Sequence, residues 1–222
     1  MAYGLVVYND ANTVQIDESY CNLQFIAKGR AENNGTTYPV IQVSVQAENP
    51  VMFLRPTAGL ASIRRVASSG NNWTFYIGLA NGVAYADWYV FDNTRQSTEK
   101  YGLRVWRSDG KLTYDSGNRY LRIVGIVPIG SFTPGTGIDV LGPAGYTLAV
   151  AFSEPGTLVE QLNQVGTNPI YRAPNEYGMS LSGSTLRVQS YAVTFATYPP
   201  GSTVSVKAVP PQLAIFADVT NL

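Results

Sequence analysis

The sequence predicts an all-β protein made of two tandem antiparallel β-sandwich modules related by internal duplication, with little helix. Three observations support this prediction. The 222 residues include 21 glycines and 13 prolines, which divide the chain into many short apolar segments. In most of these segments apolar and polar residues alternate, as they do in half-buried strands. The third observation is that the sequence at the start of the chain recurs in similar form near its middle.

The repeat relates two lines of sequence by a shift of 98 positions. The stretch that begins Tyr-Gly-Leu at Tyr3 returns at Tyr101, with Asp17 on Asp115 and no gap between them. Repeats at this spacing indicate tandem domains, because solenoid repeats are shorter. We therefore predict a first module over residues 1–97 and a second over 98–222, joined by a polar linker over 92–100.

The first module is predicted to consist of hairpins and strands. An opening hairpin turns at Asp10-Ala-Asn, and Asp17, like Asp115 in the second copy, is expected to anchor a turn by accepting backbone amide hydrogens. Residues 41–47 alternate in the pattern of a half-buried strand. A second hairpin follows over 73–91, in which the two tryptophans share faces with other apolar side chains and are predicted to lie in the core rather than to bind sugar.

The second module is predicted to repeat these strands over 145–152, 179–181 and 186–195. One segment favours a helix, because Thr157 and Glu160 have capping-box spacing and Gly166 ends an apolar stripe. Such a helix has two turns at most, so an ordered loop is the alternative.

The repeat predicts that the second module ends near Phe195, which leaves a C-terminal extension over about residues 199–222. Pairs of prolines bracket its first strand, which favours a sheet edge because proline lacks the amide needed inside a ladder. We expect the extension to pack on another subunit or on the adjoining module. The alternative is that it supplies the final strands of the second module.

Composition argues against several classes of protein. The net charge is zero, whereas a nucleic-acid-binding protein needs an excess of Lys and Arg. The chain has no histidine and one cysteine, Cys21, which excludes His-ligated and thiolate metal sites and Ser-His or Cys-His catalysis. No apolar run is long enough to cross a membrane. We expect no enzyme, catalytic residue, cofactor or metal. The remaining enzymatic alternative is a glycan hydrolase assembled from dispersed carboxylates.

Six residues form the predicted interface or ligand face: Tyr85, Asp87, Tyr89, Phe91, Arg119 and Arg122. The first four alternate outward from one strand, where they could pack on a protein neighbour or stack on a glycan ring. The two arginines are expected to brace the second module by pairing with a carboxylate or with turn carbonyls. Together with Arg104 and Arg107 they could form a basic patch, with separately paired surface arginines as the alternative.

The second copy of the repeat resembles the modules of a family of tailed-bacteriophage virion proteins. The resemblance rests on Tyr-Gly-Leu-x-Val, a glycine-containing turn, Asp-Ser and two arginines, here Tyr101, Gly102, Leu103, Val105, Gly110, Asp115, Ser116, Arg119 and Arg122. The first copy retains Tyr3, Gly4, Leu5, Val7 and Asp17, but has Cys21 and Gln24 in place of the arginines.

This resemblance implies a non-enzymatic structural component of a phage tail tip, baseplate or fibre, made in the host cytoplasm and located in the virion. Its expected partners are other virion tail proteins and further copies of itself around the tail axis. An alternative from a different class is a carbohydrate- or receptor-binding adhesin module that contacts a glycan or protein on the host surface directly.

Overall fold

In the computed structural model the chain folds into antiparallel sheets that pack face to face, which confirms the predicted all-β sandwich class. The structure describes the backbone and side chains of residues 22–33, 35, 39–57, 59–80, 85–130, 137–153, 177–189 and 213–222. It describes the backbone alone of residues 7–8, 14–16, 157–164, 170–172, 175–176, 190–192, 196–198 and 202–209. No helix occurs within these ranges.

The described residues of the first half form eight strands: β1 (Val7–Tyr8), β2 (Val14–Ile16), β3 (Leu23–Glu32), β4 (Val40–Gln46), β5 (Val51–Arg55), β6 (Ala61–Ser69), β7 (Asn72–Leu79) and β8 (Tyr85–Asn93). The second half continues with β9 (Arg104–Trp106), β10 (Leu112–Asp115), β11 (Ile123–Pro128), β12 (Gly137–Leu141), β13 (Leu148–Phe152), β14 (Thr157–Gln164), β15 (Ile170–Arg172), β16 (Asn175–Ser182), β17 (Thr185–Ala192), β18 (Ala196–Tyr198), β19 (Ser202–Val209) and β20 (Leu213–Asp218).

Two six-stranded sheets are shared equally by the two halves of the chain. Sheet I has the order β11-β20-β13-β5-β8-β3, and sheet II has the order β12-β17-β16-β6-β7-β4. The halves meet at the centre of each sheet, where Leu54 pairs with Val150 and Ala61 pairs with Met179. Each half is thus a sandwich of three strands on three, and the two sandwiches are fused edge to edge.

The main core lies between the two sheets and is continuous across this junction. Its fully buried members come from both halves, among them Leu54, Ile77, Leu79, Val150, Leu186, Val188 and Phe216. Trp73 and Trp88 pack against this core, as the alternation of their strands predicts. Because apolar side chains of both halves fill one interior, each half stabilises the other.

The duplication appears in the register of the strands. Val7 pairs with Ile16 as Val105 pairs with Tyr114, so both partners are displaced by the predicted 98 positions. The described parts of the opening hairpins therefore confirm the repeat, while Tyr3, Asp17 and Cys21 lie outside the described residues. The boundary between residues 97 and 98 stays a prediction.

A bulge in sheet I also recurs. The ladder between β3 and β8 shifts register between Phe25 and Ala27, and the ladder between β11 and β20 shifts between Ile123 and Gly125. These positions again differ by 98. Because the extra residue lies at the same place in both halves, positions 98 residues apart on β3 and β11 are structurally equivalent.

Sheet I curls until β3 meets the segment that leads into β11. Phe25 N donates to Arg119 O at 2.7 Å and Leu121 N donates to Leu23 O at 2.7 Å, with Gln24 and Tyr120 bridged between them. The curl buries a second apolar cluster on the face of sheet I that points away from sheet II: Phe53, Tyr89, Phe91, Ala149, Ala151, Ala217 and Val219. We call this face the outer face of sheet I.

Two predictions about the second half are wrong. The segment 157–164 is not a helix but strand β14, which pairs with β19 along its whole length. A partner strand outweighs the weak local preference of a two-turn helix. The last strand, β20, is not part of an extension that packs elsewhere. It lies in the middle of sheet I between β11 and β13, with Ala214, Phe216 and Ala217 fully buried.

An inserted pair of ladders explains the displaced ending. Strands β6 and β7 form a hairpin in the first half, and β16 and β17 form its counterpart. In the second half this hairpin is lengthened by β15 with β18 and by β14 with β19, and all three ladders are nested around the turn at 183–184. Strand β20 is therefore the counterpart of β8, although a gapless repeat places the end of the module near Phe195.

Candidate interaction surface

The predicted linker over residues 92–100 is an ordered strap that bonds to the start of β3, to the loop after β4 and to β10. Asp92 is fully buried at the end of β8 and accepts hydrogen bonds from Glu48 N at 3.0 Å and Asn49 N at 2.8 Å. Next to it, the Thr94 hydroxyl lies within hydrogen-bond distance of the carbonyls of Asn22 and Thr113. Burial raises the pKa of Asp92, but its hydrogen bonds outweigh this effect and the net pKa is lowered.

Asp115 is the centre of a second buried polar network, at the end of β10. Its carboxylate accepts hydrogen bonds from Ser97 N and Oγ, both at 3.0 Å, from Gly117 N at 2.9 Å and from Arg104 Nε at 2.8 Å. Burial raises its pKa, and these donors lower it by more, so that the net pKa is well below the usual range. Asp115 anchors a turn through backbone amides, as the sequence predicts.

Arg119 and Arg122 both brace the second half. Arg119 Nη1 donates to the Asn221 carbonyl at 2.6 Å, and Arg122 Nη1 donates to Asp218 Oδ2 at 3.2 Å. The Arg122 guanidinium also lies over the Tyr146 ring, 5.2 Å from its centre. The prediction that at least one of them binds a carboxylate or turn carbonyl is confirmed.

The four arginines considered as a basic patch each have a nearby acceptor. Arg104 pairs with Asp115, Arg107 pairs with Asp109, and the other two bind residues 218–221. These contacts match the alternative prediction, in which each arginine is paired separately.

The four residues predicted on β8 lie on one face, but only part of that face is open. Phe91 is fully buried and Tyr89 is 9% exposed, so the expectation that they point into solvent is wrong. The curl of sheet I covers them, and Phe91 packs edge to face against Phe25 and Phe53. A sequence pattern cannot show this cover, because the contact that closes the curl joins residues far apart in the chain.

At the open end of the same face, Tyr85 and Asp87 form a charged cluster with two arginines. Asp87 accepts two hydrogen bonds from Arg30, at 2.7 and 3.3 Å, and lies 3.8 Å from Arg55. The Arg30 guanidinium covers the Tyr85 ring at 3.8 Å. The outer face of the first half therefore ends in polar groups that satisfy one another.

The same face of the second half is apolar where the first half is charged. The repeated bulge aligns Lys28 with Ile126, Arg30 with Pro128, and Asp87 with Leu213. Ile123, Ile126 and Leu213 are 50%, 57% and 37% exposed. We call these three side chains the apolar strip. It lies on β11 and the neighbouring end of β20, and no single-residue pattern in the sequence marks it as exposed.

Two further observations concern the class of protein. The described residues contain no group of three or more Cys, Asp or Glu that could hold a metal ion. Within the same part of the chain, no helix has the length and apolar character needed to span a bilayer. Compared with known proteins, the chain matches no family model, no curated protein and no solved structure.

Proposed function

We propose that this protein is a non-enzymatic structural component of a bacteriophage tail, in the tail tip, baseplate or fibre. The observation that carries the proposal is the apolar strip. Solvent-exposed apolar side chains that lie together on one surface are typical of sites that bind another protein. The repeated Tyr-Gly-Leu-x-Val modules resemble phage virion proteins, and this resemblance indicates a phage tail as the assembly in which the strip would bind its partner.

The architecture is consistent with a stiff part that presents binding faces to its neighbours. Two sandwiches share a continuous core, and buried carboxylates hold the strap and the second opening hairpin through several hydrogen bonds each. Networks of this kind rigidify the groups they join when every member is satisfied. In this proposal the partners are other virion tail proteins and further copies of the chain, and the protein is made in the host cytoplasm.

A second function, direct binding of a host-surface glycan or protein, is supported by a different observation. Trp106 is 50% exposed and Tyr101 is 92% exposed on and beside the β9–β10 hairpin, where Tyr114 and Tyr120 stack at 5.1 Å. Exposed aromatic rings offer stacking surfaces for sugars as well as for proteins.

Mass spectrometry of purified virions tests the first function. We expect the chain among the tail proteins of particles from the phage that encodes it, and absent from particles in which its gene is interrupted. Its absence from wild-type particles would overturn the proposal. A glycan array on the purified protein separates the second function, because a scaffold gives no sugar-dependent signal whereas an adhesin does.

A further inference from the structure

Each six-stranded sheet has two outer strands, and three of these four strands are protected against pairing with another chain. Strand β3 carries Lys28, Arg30 and Glu32 and contains a bulge. Strand β11 contains the equivalent bulge and ends at Pro128. Charges, bulges and prolines are the devices by which proteins keep edge strands from pairing.

Strand β12 is protected less strongly, by its length and by a charge. It has five residues, and Asp139 lies on it in an ion pair with Arg187 of the neighbouring strand. A partner strand added there would bring its side chains beside an exposed carboxylate.

Strand β4 has none of these features. Its seven residues, VIQVSVQ, include no charge and no proline, and its ladder with β7 runs from Val40 to Gln46 without a register shift. Val40 is 41% exposed, and Gln42, Ser44 and Gln46 are exposed as well. In the described part of the chain β7 is its sole neighbour in the sheet.

The hydrogen bonds at the two ends of β4 show which main-chain groups point outward. Leu79 N donates to Pro39 O, and Ala47 N donates to Asn71 O, so these odd-numbered residues of the segment bond towards β7. Along an antiparallel strand the bonding direction alternates from residue to residue. The N–H and C=O groups of Val40, Gln42, Ser44 and Gln46 therefore point away from β7, along the free edge.

We propose that this edge pairs with the same edge of a second copy of the chain, antiparallel and about a two-fold axis at Val43. In this register Val40 faces Gln46 of the other copy and Gln42 faces its Ser44. All outward main-chain groups then form about eight hydrogen bonds. The two sheets II become one continuous sheet across the dimer.

The second copy is favoured over another partner because the chain already joins itself in this way. At the centre of the molecule, β5 pairs with its counterpart β13 and β6 pairs with its counterpart β16, both antiparallel. The pairing of β4 with β4 repeats this junction between equivalent strands. The facing side chains, Gln with Ser and Val with Gln, are uncharged and so introduce no repulsion.

The proposal does not depend on a place in a phage tail, and the oligomeric state of the purified full chain tests it. We expect a dimer by analytical ultracentrifugation. The double variant Gln42→Lys/Ser44→Lys places four lysines together across the axis, and should weaken the dimer at least about tenfold. Leu141→Lys is the matched control: Leu141 is 73% exposed on β12, at the opposite edge of the same sheet, and this variant should stay dimeric.

A covalent trap fixes the register and covers the case in which the lysines unfold the chain. In a Cys21→Ser background, Gln42→Cys/Ser44→Cys should give a disulfide-linked dimer on oxidation, because these positions face each other across the axis. A monomeric wild-type chain at high micromolar concentration overturns the proposal. So does dissociation by Leu141→Lys with an unaffected lysine double variant, which would place the contact at the β12 edge.

Discussion

Lys28 and Ile126 occupy equivalent positions in the two halves of the chain, one residue past the same bulge. Around Lys28 the outer face of sheet I carries Arg30 and Asp87, which bind each other. Around Ile126 it carries Leu213, and both side chains are exposed. The same backbone arrangement thus carries paired charged side chains in the first half and exposed apolar side chains in the second.

The difference shows where the duplicated parts have kept a common role and where they have separated. The opening hairpins and the bulges have matching registers in both halves. The junction strands of both halves contribute side chains to the shared core. The side chains at the open end of the outer face do not belong to the core between the two sheets. They can therefore differ between the halves without disturbing that core. For the outer face of sheet I, the structure therefore points to the second half as the half that binds a partner.

The largest expected difference between the halves lies in their turn anchors. Asp115→Asn should lower the free energy of unfolding by about 3 kcal/mol, because a neutral amide cannot accept all the bonds from Ser97, Gly117 and Arg104. The residue 98 positions before Arg104 is Val6, so the sequence offers Asp17 no equivalent cation. Asp17→Asn should therefore cost only about 1 kcal/mol. Urea denaturation of both variants measures the comparison, and equal losses would contradict it.

The same carboxylate gives a dependence on pH. The pKa of Asp115 is lower in the folded chain than its unfolded value of about 3.9, because its hydrogen bonds outweigh the opposite effect of burial. The folded state therefore gains stability from this group above the unfolded pKa, and loses it as the pH falls through 3.9 towards the folded pKa. Between pH 6 and pH 3, Asp115→Asn should lose less stability than the wild type, and parallel curves would show that Asp115 does not contribute.

A smaller effect is expected from the arginines that distinguish the second copy. Arg119→Gln/Arg122→Gln should lower the free energy of unfolding by about 1 kcal/mol, because both side chains are exposed and hold residues 218–221 from the surface. Gln24, the counterpart of Arg122, already holds the corresponding segment of the first half by accepting from Arg95 N at 2.8 Å.

Thermal denaturation and incorporation into particles measure this change. Arg107→Gln is the control, since Arg107 pairs with Asp109 in its own turn. Unchanged melting together with unchanged incorporation would remove any particular role for Arg119 and Arg122.

The sequence predicts local features of this fold well. Alternation along residues 41–47 gives β4, and the repeated Tyr-Gly-Leu line gives hairpins whose register is displaced by 98 positions. Both depend on neighbours in the chain, so periodicity and turn residues are sufficient to find them. The buried network of Asp115 and the surface contacts of Arg119 and Arg122 also follow from residue type, because guanidinium and carboxylate groups form hydrogen bonds with such partners.

The sequence does not predict the features that depend on distant contacts. Strand β14 has a local helical pattern, and the strand that determines its conformation, β19, lies about forty residues further on. The gapless repeat places the final strand too early. Strands β14 and β15 are inserted between β13 and β16, the counterparts of β5 and β6. Strands β18 and β19 are inserted between β17 and β20, the counterparts of β7 and β8. The closing contact of sheet I, between Leu23 and Leu121, likewise covers Phe91 in a way that alternation along β8 cannot show.

The smallest expected effect on stability, and the sharpest test of the two surfaces, comes from exchanging one side chain for its counterpart. Ile126→Lys gives the second half the residue that the first half has at Lys28. Ile126 is 57% exposed, so the free energy of unfolding should change by no more than about 0.5 kcal/mol. Incorporation of the variant into tail particles should nevertheless fall, because a lysine amine in the apolar strip must lose its hydration when a partner covers it.

Val66→Lys is the control, since Val66 is 44% exposed on β6 of sheet II, away from the strip. Quantifying each variant in particles that lack the wild-type chain measures the effect. Equal incorporation of both variants would show that the apolar strip is not the surface that binds the tail, while the pairing of β4 should survive in either variant.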